Sequence, residues 1–468
     1  MDRLTSLDTS FLYLEGRSTV MHVGSVMVFD PAAGRVDLDR LVALIGQRIA
    51  QLPRYRQRIR WVPGHLANPV WIDDEYFDLS YHVRRAALPR PGTDAQLEAF
   101  VARIQPRPLD RDRPLWEVYL VEGLEHGRFA IVTKTHYALV DGVNALDIAQ
   151  VLVTETPGWE RAQQDLWRPM HAPNDLTLVA AAVLDSLRGP GRMVEAARGG
   201  ATELRELGTK VLSGVGSLAR TVARGAATPA PTSPLNAPVG QARRFVMVGT
   251  DLADYRAVRS RLARGAHGED VSVNDVVLAA LAGALRTWLL TRGAAVHNAT
   301  VVRALVPVSV EDDAGTGLHS LSACLVDLPV GEPAASMRLH QIAFLMRQQI
   351  AGGRAVGADR LVGLAGFAPP TLHAMGARLG SEMSRRLFNV IVTNVPGPQT
   401  PLYAGDAHML STYPVIPLAK GQALAVGLTS YDGGVYYGLN ADRDAMPDVE
   451  VLGQSIVDSL AELTGGRR

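Results

Sequence analysis

The spacing of hydrophobic residues along the chain predicts two stretches that each mix helices with strands. Apolar residues recur every three or four positions where we predict helices, and β-branched residues cluster in short runs where we predict strands. The first stretch has predicted strands at 24–30, 116–124 and 129–140 and predicted helices at 38–52, 94–104 and 143–153. Residues 125–128 form a polar turn, so the last two strands should make a hairpin.

The second stretch begins near residue 244 and repeats this mixture without detectable sequence identity to the first. Its predicted strands lie at 301–310, 321–330, 388–393, 423–430 and 435–439, and its predicted helices at 274–290, 336–350, 359–379 and 449–463. Asp432-Gly433-Gly434 is a strong hairpin signal before the last strand. Ser272 and Asn274 are both candidates for the N-cap of the first helix. The mixture predicts an α/β fold.

Residues 157–243 separate the two stretches and differ from both in composition. They are rich in Ala, Gly, Pro and Ser, and the segment 188–244 has nine Arg or Lys against three Glu, a net charge of about +6. The apolar residues of this segment recur mostly at helical spacing, a basic amphipathic pattern that suits an anionic lipid surface. A connector that packs on its own two domains is the simpler interpretation. We divide the chain into a first half, 1–156, a partly helical linker, 157–243, and a second half, 244–468.

Composition narrows the class of protein. The chain has 468 residues with 47 Lys or Arg and 47 Asp or Glu, so its formal net charge is +0 and a general nucleic-acid-binding role is not expected. The single Cys324 excludes an internal disulfide and an all-thiolate metal site. We see neither a secretion signal at the start nor a run of about 18 apolar residues, so we expect a cytoplasmic protein.

The segment that most clearly indicates chemistry runs from His136-Tyr137 to Asp141-Gly142. It ends an apolar predicted strand with a His, places an Asp five residues later, and adds a Gly that permits a tight turn. Taken alone, a His and an Asp near a turn are often a structural polar pair. The surrounding motifs change that interpretation.

Further motifs occur in order on both sides of this segment. They are Leu7-Asp8 with Phe11, Met21-His22-Val23-Gly24, Leu109-Asp110-Arg111-Asp112-Arg113-Pro114-Leu115-Trp116-Glu117, Ser272-Val273-Asn274-Asp275, Val306-Pro307-Val308-Ser309, Thr393-Asn394-Val395-Pro396-Gly397-Pro398, and Ser430-Tyr431-Asp432-Gly433 with Gly438. Together they resemble the bacterial wax ester synthase/acyl-CoA:diacylglycerol acyltransferase family, particularly its actinobacterial triacylglycerol synthases, over nearly the whole chain. A non-ribosomal-peptide condensation domain shares the fold and the His motif, but the Pro-Leu-Trp and Asn-Val-Pro-Gly-Pro stretches favour the lipid acyltransferase.

The resemblance implies two chloramphenicol-acetyltransferase-like halves with a channel between them. It implies an acyl-CoA-dependent diacylglycerol O-acyltransferase, a triacylglycerol synthase, with wax ester synthesis as a further activity. Acyl-CoA would be a co-substrate and diacylglycerol or a long-chain alcohol the acceptor, with no cofactor or metal, at a membrane or lipid-body surface. Asn274, Asp275, Asn394, Pro396 and Gly397 would line the channel, although Asn274 is also explained as a simple helix cap.

This chain departs from the family motif, His-His-x-x-x-Asp-Gly, whose second His is the general base and whose Asp holds the loop. Here His136 is the first His, Tyr137 replaces the second, and Asp141 and Gly142 are present. Because a strand alternates its faces, Tyr137 would point where the base is expected and His136 would point the other way. The ordinary pKa is ~10 for tyrosine and ~6.5 for histidine, so only about one phenol in a thousand is ionised at neutral pH.

Three interpretations of this replacement are open. A bulge could shift the strand register so that His136 reaches the channel and acts as the base, with Tyr137 donating a hydrogen bond to the acyl oxygen. Tyr137 could instead polarise the acceptor hydroxyl in a slow enzyme. In the third, the protein is a catalytically impaired paralogue that binds acyl-CoA or neutral lipid.

Overall fold

The computed structural model describes residues 2–31, 37–140, 148–159, 165, 167–184, 229–263, 271–311, 319–351, 356–357 and 387–465. The strands are β1 Asp2–Arg3, β2 His22–Asp30, β3 Gln57–Arg60, β4 Val70–Asp73, β5 Val83–Ala87, β6 Trp116–Glu122, β7 Phe129–His136, β8 Arg243–Asp251, β9 Val302–Glu311, β10 His319–Leu328, β11 Val356–Gly357, β12 Val390–Pro396, β13 Tyr403–Ala404, β14 Ala407–Val415, β15 Leu424–Tyr431 and β16 Gly434–Asp442. The helices are Ser6–Leu14, Leu38–Ala50, Leu79–His82, Asp94–Ile104, Tyr137–Val140, Ile148–Leu152, Asp175–Leu184, Leu252–Ala263, Val273–Thr291, Ala335–Ala351 and Val449–Thr464.

A six-stranded sheet in the order β13-β14-β2-β7-β6-β5 forms the centre of the first half. The predicted hairpin is confirmed, because β6 and β7 pair antiparallel with Trp116 opposite Thr135. The sheet also takes two strands from the second half, since β14 pairs antiparallel with β2. Neither borrowed strand was predicted, because β14 mixes polar residues with Pro414 and shows no regular alternation. The two halves of the sequence are therefore joined through one sheet.

The predicted strand 129–140 is too long. β7 ends at His136, and residues Tyr137–Val140 form a single helical turn instead. The reason is that Ala138 and Leu139 remain buried after the strand has ended, so the apolar run gives no signal of the change.

The second half is built on a seven-stranded sheet in the order β11-β10-β9-β12-β15-β16-β8. The helix Val273–Thr291 packs in the core of the second half and begins with a capping box. The Ser272 hydroxyl accepts from the backbone N–H of Asp275, and the Asp275 carboxylate accepts from the backbone N–H of Ser272. The N-cap is therefore Ser272, and the interpretation of Asn274 as the cap is wrong. Among the described helices this one is long and apolar enough to cross a membrane, but it is mostly buried, as a core helix would be.

A small sheet in the order β1-β4-β3 lies beside the start of the linker. The helix Asp175–Leu184 packs on it through Leu178 and Ala182, which contact Val62, Val70 and Ile72. Residues 188–228, which make up most of the basic segment, lie outside the described residues, as does the predicted helix 359–379. The predicted helices at 38–52, 94–104, 336–350 and 449–463 and the predicted strands at 24–30, 116–124, 301–310, 321–330, 388–393, 423–430 and 435–439 are confirmed within a few residues.

Candidate active site

The end of β7 carries the first two residues of the His motif. β2 and β7 keep one register from His22 opposite His136 to Phe29 opposite Phe129. Both strands are described in full, and the pairing breaks at Gly24 and Ser25 but resumes with the same offset at Val26 opposite Val132. The register shift that would bring His136 into a channel is therefore contradicted.

His136 is buried, with 1% of its surface exposed. Its Nδ1 accepts a hydrogen bond from the backbone N–H of Ala138 at 3.0 Å, so the ring proton belongs on Nε2. Burial lowers the pKa of His136 to about 3, against the opposing effect of the Glu15 carboxylate. An imidazole with so low a pKa, buried and already engaged at its basic nitrogen, is a weak general base. This arrangement argues against His136 as the base, and that interpretation stays a prediction.

Glu15 lies next to His136 at the end of the helix Ser6–Leu14. Arg111 donates two hydrogen bonds to its Oε2, from Nε at 3.2 Å and from Nη2 at 2.7 Å. His22 Nε2 lies 3.1 Å from Oε1, and His136 Nε2 lies 3.8 Å from Oε2. Burial alone would raise the pKa of Glu15, but the contacts with His22 and Arg111 outweigh it and lower the pKa to about 2. The carboxylate is therefore ionised at neutral pH.

Tyr137 begins the helical turn after β7, so the alternation of strand faces does not govern its side chain, contrary to our expectation. Its backbone N–H donates to the Met21 carbonyl at 3.0 Å. Its ring is half-buried and stacks on Phe11, with ring centroids 5.1 Å apart and planes inclined by 24°. Tyr137 is thus held between the end of β7 and the helix Ser6–Leu14. Asp141 and Gly142, the other predicted site residues of this motif, lie outside the described residues.

A second charged pair, Lys134 with Glu117, links β7 to the neighbouring strand β6. Lys134 is buried, its Nζ lies 3.7 Å from Glu117 Oε2, and it donates to the carbonyls of Ile104 and Arg107. Burial lowers the pKa of Lys134 to about 8. Since Lys134 and His136 are two residues apart on β7, they share a face of the sheet. This face therefore buries charge as well as apolar side chains.

The residues predicted to line the channel fall into two groups in the second half. Asn394 Nδ2 donates to Asn274 Oδ1 at 3.1 Å, so the structure brings these two amides together. Asp275 accepts from the backbone N–H and the hydroxyl of Ser272, both at 2.8 Å, which is a helix-capping role.

Pro396 ends β12, and Gly397 begins the turn that follows it. Pro396 is opposite Ser430 in the parallel pairing of β12 with β15. A Cβ at Gly397 would lie 2.3 Å from the Ser430 carbonyl oxygen, so a larger residue would force the backbone to move. These two residues shape the turn and carry no titratable group.

Glu15 is the functional candidate that sequence reasoning missed. Arg111 and His22 belonged to recognised motifs, but no role was assigned to them. The only local signal for Glu15 is a carboxylate directly after the apolar run Phe11-Leu12-Tyr13-Leu14. Its ion pair with Arg111 spans 96 positions, so no local pattern could reveal it. The described residues include no group of three or more His, Cys, Asp or Glu that could hold a metal ion.

Comparison with known proteins places the chain among lipid acyltransferases. Residues 4–277 match the family model for the wax ester synthase/diacylglycerol acyltransferase catalytic domain, and residues 320–464 match the C-terminal domain of the same family. The probable diacylglycerol O-acyltransferase tgs1 of Mycobacterium tuberculosis is 32% identical over 470 residues, covering 99% of this chain and 96% of that protein. The probable diacylglycerol O-acyltransferase tgs3 of the same species is 45% identical over 266 residues, covering 55% of this chain and 96% of that protein.

Solved structures show the same relationship. A wax ester synthase/diacylglycerol acyltransferase from Marinobacter aquaeolei VT8 is 29% identical with a TM-score of 0.69, and the match covers 98% of each chain. The starter condensation domain of rhizomide synthetase RzmA, in complex with C8-CoA and Leu-SNAC, is 15% identical with a TM-score of 0.56, covering 99% of this chain and 94% of that one. The second match concerns the fold alone, which is the predicted pair of chloramphenicol-acetyltransferase-like halves.

Proposed function

Because the chain belongs to the wax ester synthase/diacylglycerol acyltransferase family, we propose that it transfers an acyl group from acyl-CoA to the free hydroxyl of diacylglycerol, forming triacylglycerol. The observation that carries this proposal is the match of the catalytic family model to residues 4–277. Full-length relatives named as probable diacylglycerol O-acyltransferases support it. Long-chain alcohols are the second acceptor class, since the family also includes wax ester synthases.

The reaction is a direct displacement. The acceptor hydroxyl oxygen attacks the thioester carbonyl carbon, the new C–O bond forms, the C–S bond breaks, and the hydroxyl proton ends on the sulfur of CoA. This reaction requires no covalent enzyme intermediate. Acyl-CoA is a co-substrate, and we propose no further cofactor. A general base that removes the proton contributes typically about 10² to 10⁴ in rate. The identity of the group that handles this proton therefore sets the speed of the enzyme.

Tyr137 is the residue we assign to the acceptor hydroxyl. It occupies the position of the family base, and its backbone is held by the Met21 carbonyl and its ring by Phe11. A neutral phenol polarises a hydroxyl by hydrogen bonding but removes its proton poorly, because tyrosine ordinarily titrates at a pKa of ~10. We expect an enzyme that relies mainly on holding its two substrates together and is slow for this family.

A second function is favoured by the burial of His136. Since its Nδ1 is engaged by Ala138 and its surface is 1% exposed, no imidazole of this motif is available as a base within the described residues. The alternative is a catalytically impaired paralogue that binds acyl-CoA or neutral lipid without turning them over.

A cytoplasmic location at a membrane or lipid-body surface is part of the proposal. The acceptors are lipids, and the segment 188–244 has a net charge of about +6 although the chain as a whole has a net charge of +0. Basic segments of this kind are attracted to anionic lipid surfaces.

The test is to incubate the purified protein with radiolabelled palmitoyl-CoA and a mixture of dioleoylglycerol and hexadecanol, alongside Tyr137→Phe and His136→Ala. We expect labelled triacylglycerol from the wild type and less of it from Tyr137→Phe, because the phenol hydroxyl is removed while the ring stack on Phe11 stays. His136→Ala removes the acceptor of the Ala138 N–H, so it should disturb the turn that begins at Tyr137 as well as stability, and its thermal unfolding is measured in parallel. Wild-type protein that binds palmitoyl-CoA but forms no product would support the binding function instead.

A further inference from the structure

Glu15 connects the parts of the structure that surround Tyr137. Its side chain is 9% exposed, and Arg111 holds it with two hydrogen bonds to one carboxylate oxygen. The same guanidinium donates to the Leu12 carbonyl at 2.9 Å, which fixes it to the helix that carries Glu15. Paired hydrogen bonds from arginine to a carboxylate fix geometry as well as charge. Glu15 is thus a negative charge held in a fixed position beside His136.

One route from Glu15 to Tyr137 runs through the backbone of Met21. The N–H of Met21 donates to Glu15 Oε1 at 3.5 Å, and the carbonyl of Met21 accepts from the N–H of Tyr137 at 3.0 Å. Met21, just before β2, is therefore bonded to Glu15 through its N–H and to Tyr137 through its carbonyl. A change at Glu15 can reach Tyr137 without touching its side chain.

A second route runs through the ring of His136. Its Nδ1 accepts from Ala138, the residue after Tyr137, which requires the ring proton to sit on Nε2. Nε2 faces Glu15 Oε2 at 3.8 Å, and a carboxylate there favours a protonated nitrogen. If the proton moved to Nδ1, the hydrogen bond from Ala138 would be lost, and the turn that begins at Tyr137 would keep only its bond to the Met21 carbonyl as an anchor at this end.

We propose that Glu15 is a positioning residue for Tyr137, acting by selecting the Nε2-protonated tautomer of His136 and by holding Met21. The catalytic meaning of this role rests on the proposed function, in which Tyr137 meets the acceptor hydroxyl. The effect of Glu15 on the tautomer of His136 does not depend on whether the protein turns over substrate.

The test compares Glu15→Gln with Glu98→Gln in the full-length protein. Glu98 is a control, because it is a half-buried glutamate of the first half that also accepts a backbone N–H, that of Met247 at 2.7 Å. We expect Glu15→Gln to lower kcat by about ten- to a hundredfold with little change in KM, the range expected for a misplaced reacting group. Glu98→Gln should leave both constants near wild type.

A double variant separates positioning from general damage. If Glu15 acts through Tyr137, the kcat of Tyr137→Phe should fall little further when Glu15→Gln is added, because residues that act as one unit are not additive. Additive losses, or equal losses in Glu15→Gln and Glu98→Gln that follow their thermal stability, would overturn the proposal.

A spectroscopic measurement tests the tautomer directly. Nitrogen-15 labelling of histidine rings distinguishes protonated from unprotonated ring nitrogens, and His136→Asn identifies the His136 signals. We expect a protonated Nε2 in the wild type and in Glu98→Gln, and loss of that single tautomer in Glu15→Gln. An unchanged tautomer in Glu15→Gln would overturn the proposal. A wild type without turnover would count against the proposed function alone, since the tautomer is read without substrate.

Discussion

The end of β7 and the end of β12 both carry motifs of the family, yet they are built from different chemistry. At the end of β7, the Glu15–Arg111 ion pair lies against the two buried imidazoles of His22 and His136. At the end of β12, the pair Asn274 and Asn394 is neutral and half-buried. The difference indicates a division of labour. The first region can hold and orient protons, while the second can only shape and bind, because side-chain amides do not titrate.

The largest effect on the rate of acyl transfer is expected in the first region, from replacing Tyr137 by His. Tyr137→His restores a general base at the position where the family has one, and we expect acyl transfer to rise by roughly tens-fold or more, because general bases contribute about that much. The measurement is the initial rate with palmitoyl-CoA and dioleoylglycerol, with Tyr137→Phe as the control. A folded Tyr137→His protein with no gain in rate would contradict the account in which the base has been lost.

A smaller effect is expected in the second region. Asn274→Ala and Asn394→Ala each remove one partner of the 3.1 Å amide hydrogen bond, so both should raise KM by a few-fold and leave kcat near wild type. In urea unfolding, the double variant should lose less free energy of unfolding than the two single variants lose together. We expect the difference to be about 0.5–1.5 kcal/mol, the usual contribution of one hydrogen bond. A loss in kcat that exceeds the change in KM would show that the end of β12 also takes part in proton transfer. The two regions would then not differ in the way we propose.

The smallest effect on acyl transfer is expected at Glu98, which joins the two halves through Met247 of β8. Burial raises the pKa of Glu98 to about 7, and nearby Glu450 and Asp94 add to the shift. A glutamate in the unfolded chain titrates near a pKa of ~4.3. Between these two values the folded protein keeps a proton that the unfolded chain has released, so the free energy of unfolding should fall as the pH rises from about 4.5 to 7.

Urea unfolding at several pH values measures this dependence. Glu98→Gln should flatten the decline and be more stable than the wild type at pH 8, because it cannot ionise. Equal slopes in the two proteins across this range would show that Glu98 is not the group responsible.

Local patterns predicted much of the fold. The helix Asp94–Ile104 was predicted at its observed bounds, and the hairpin of β6 and β7 followed from two apolar runs around a polar turn. The capping box of Ser272 and Asp275 is also a local signal, which favours Ser272 over Asn274. These features depend on residues within a few positions of each other, so the sequence carries them directly.

The candidate site was predicted only in part. The motif identified His136 and Tyr137, but the strand was expected to continue through them, and the burial of His136 was not foreseen. Composition could not show that β7 ends at His136, because the next residues stay apolar. The strand exchange that brings β14 beside β2 was also missed, since pairing between distant segments leaves no periodic signal.

The sequence by itself determined the family, the α/β class and the replacement of the expected base by Tyr137, because each is read from residue identity and spacing. Only the tertiary structure decided what His136 can do. Its ring is enclosed by Glu15, His22 and Ala138, which come from the helix Ser6–Leu14, from β2 and from the turn after β7. The basicity of an imidazole depends on the water and charges around it, and these are set by contacts between segments more than a hundred positions apart.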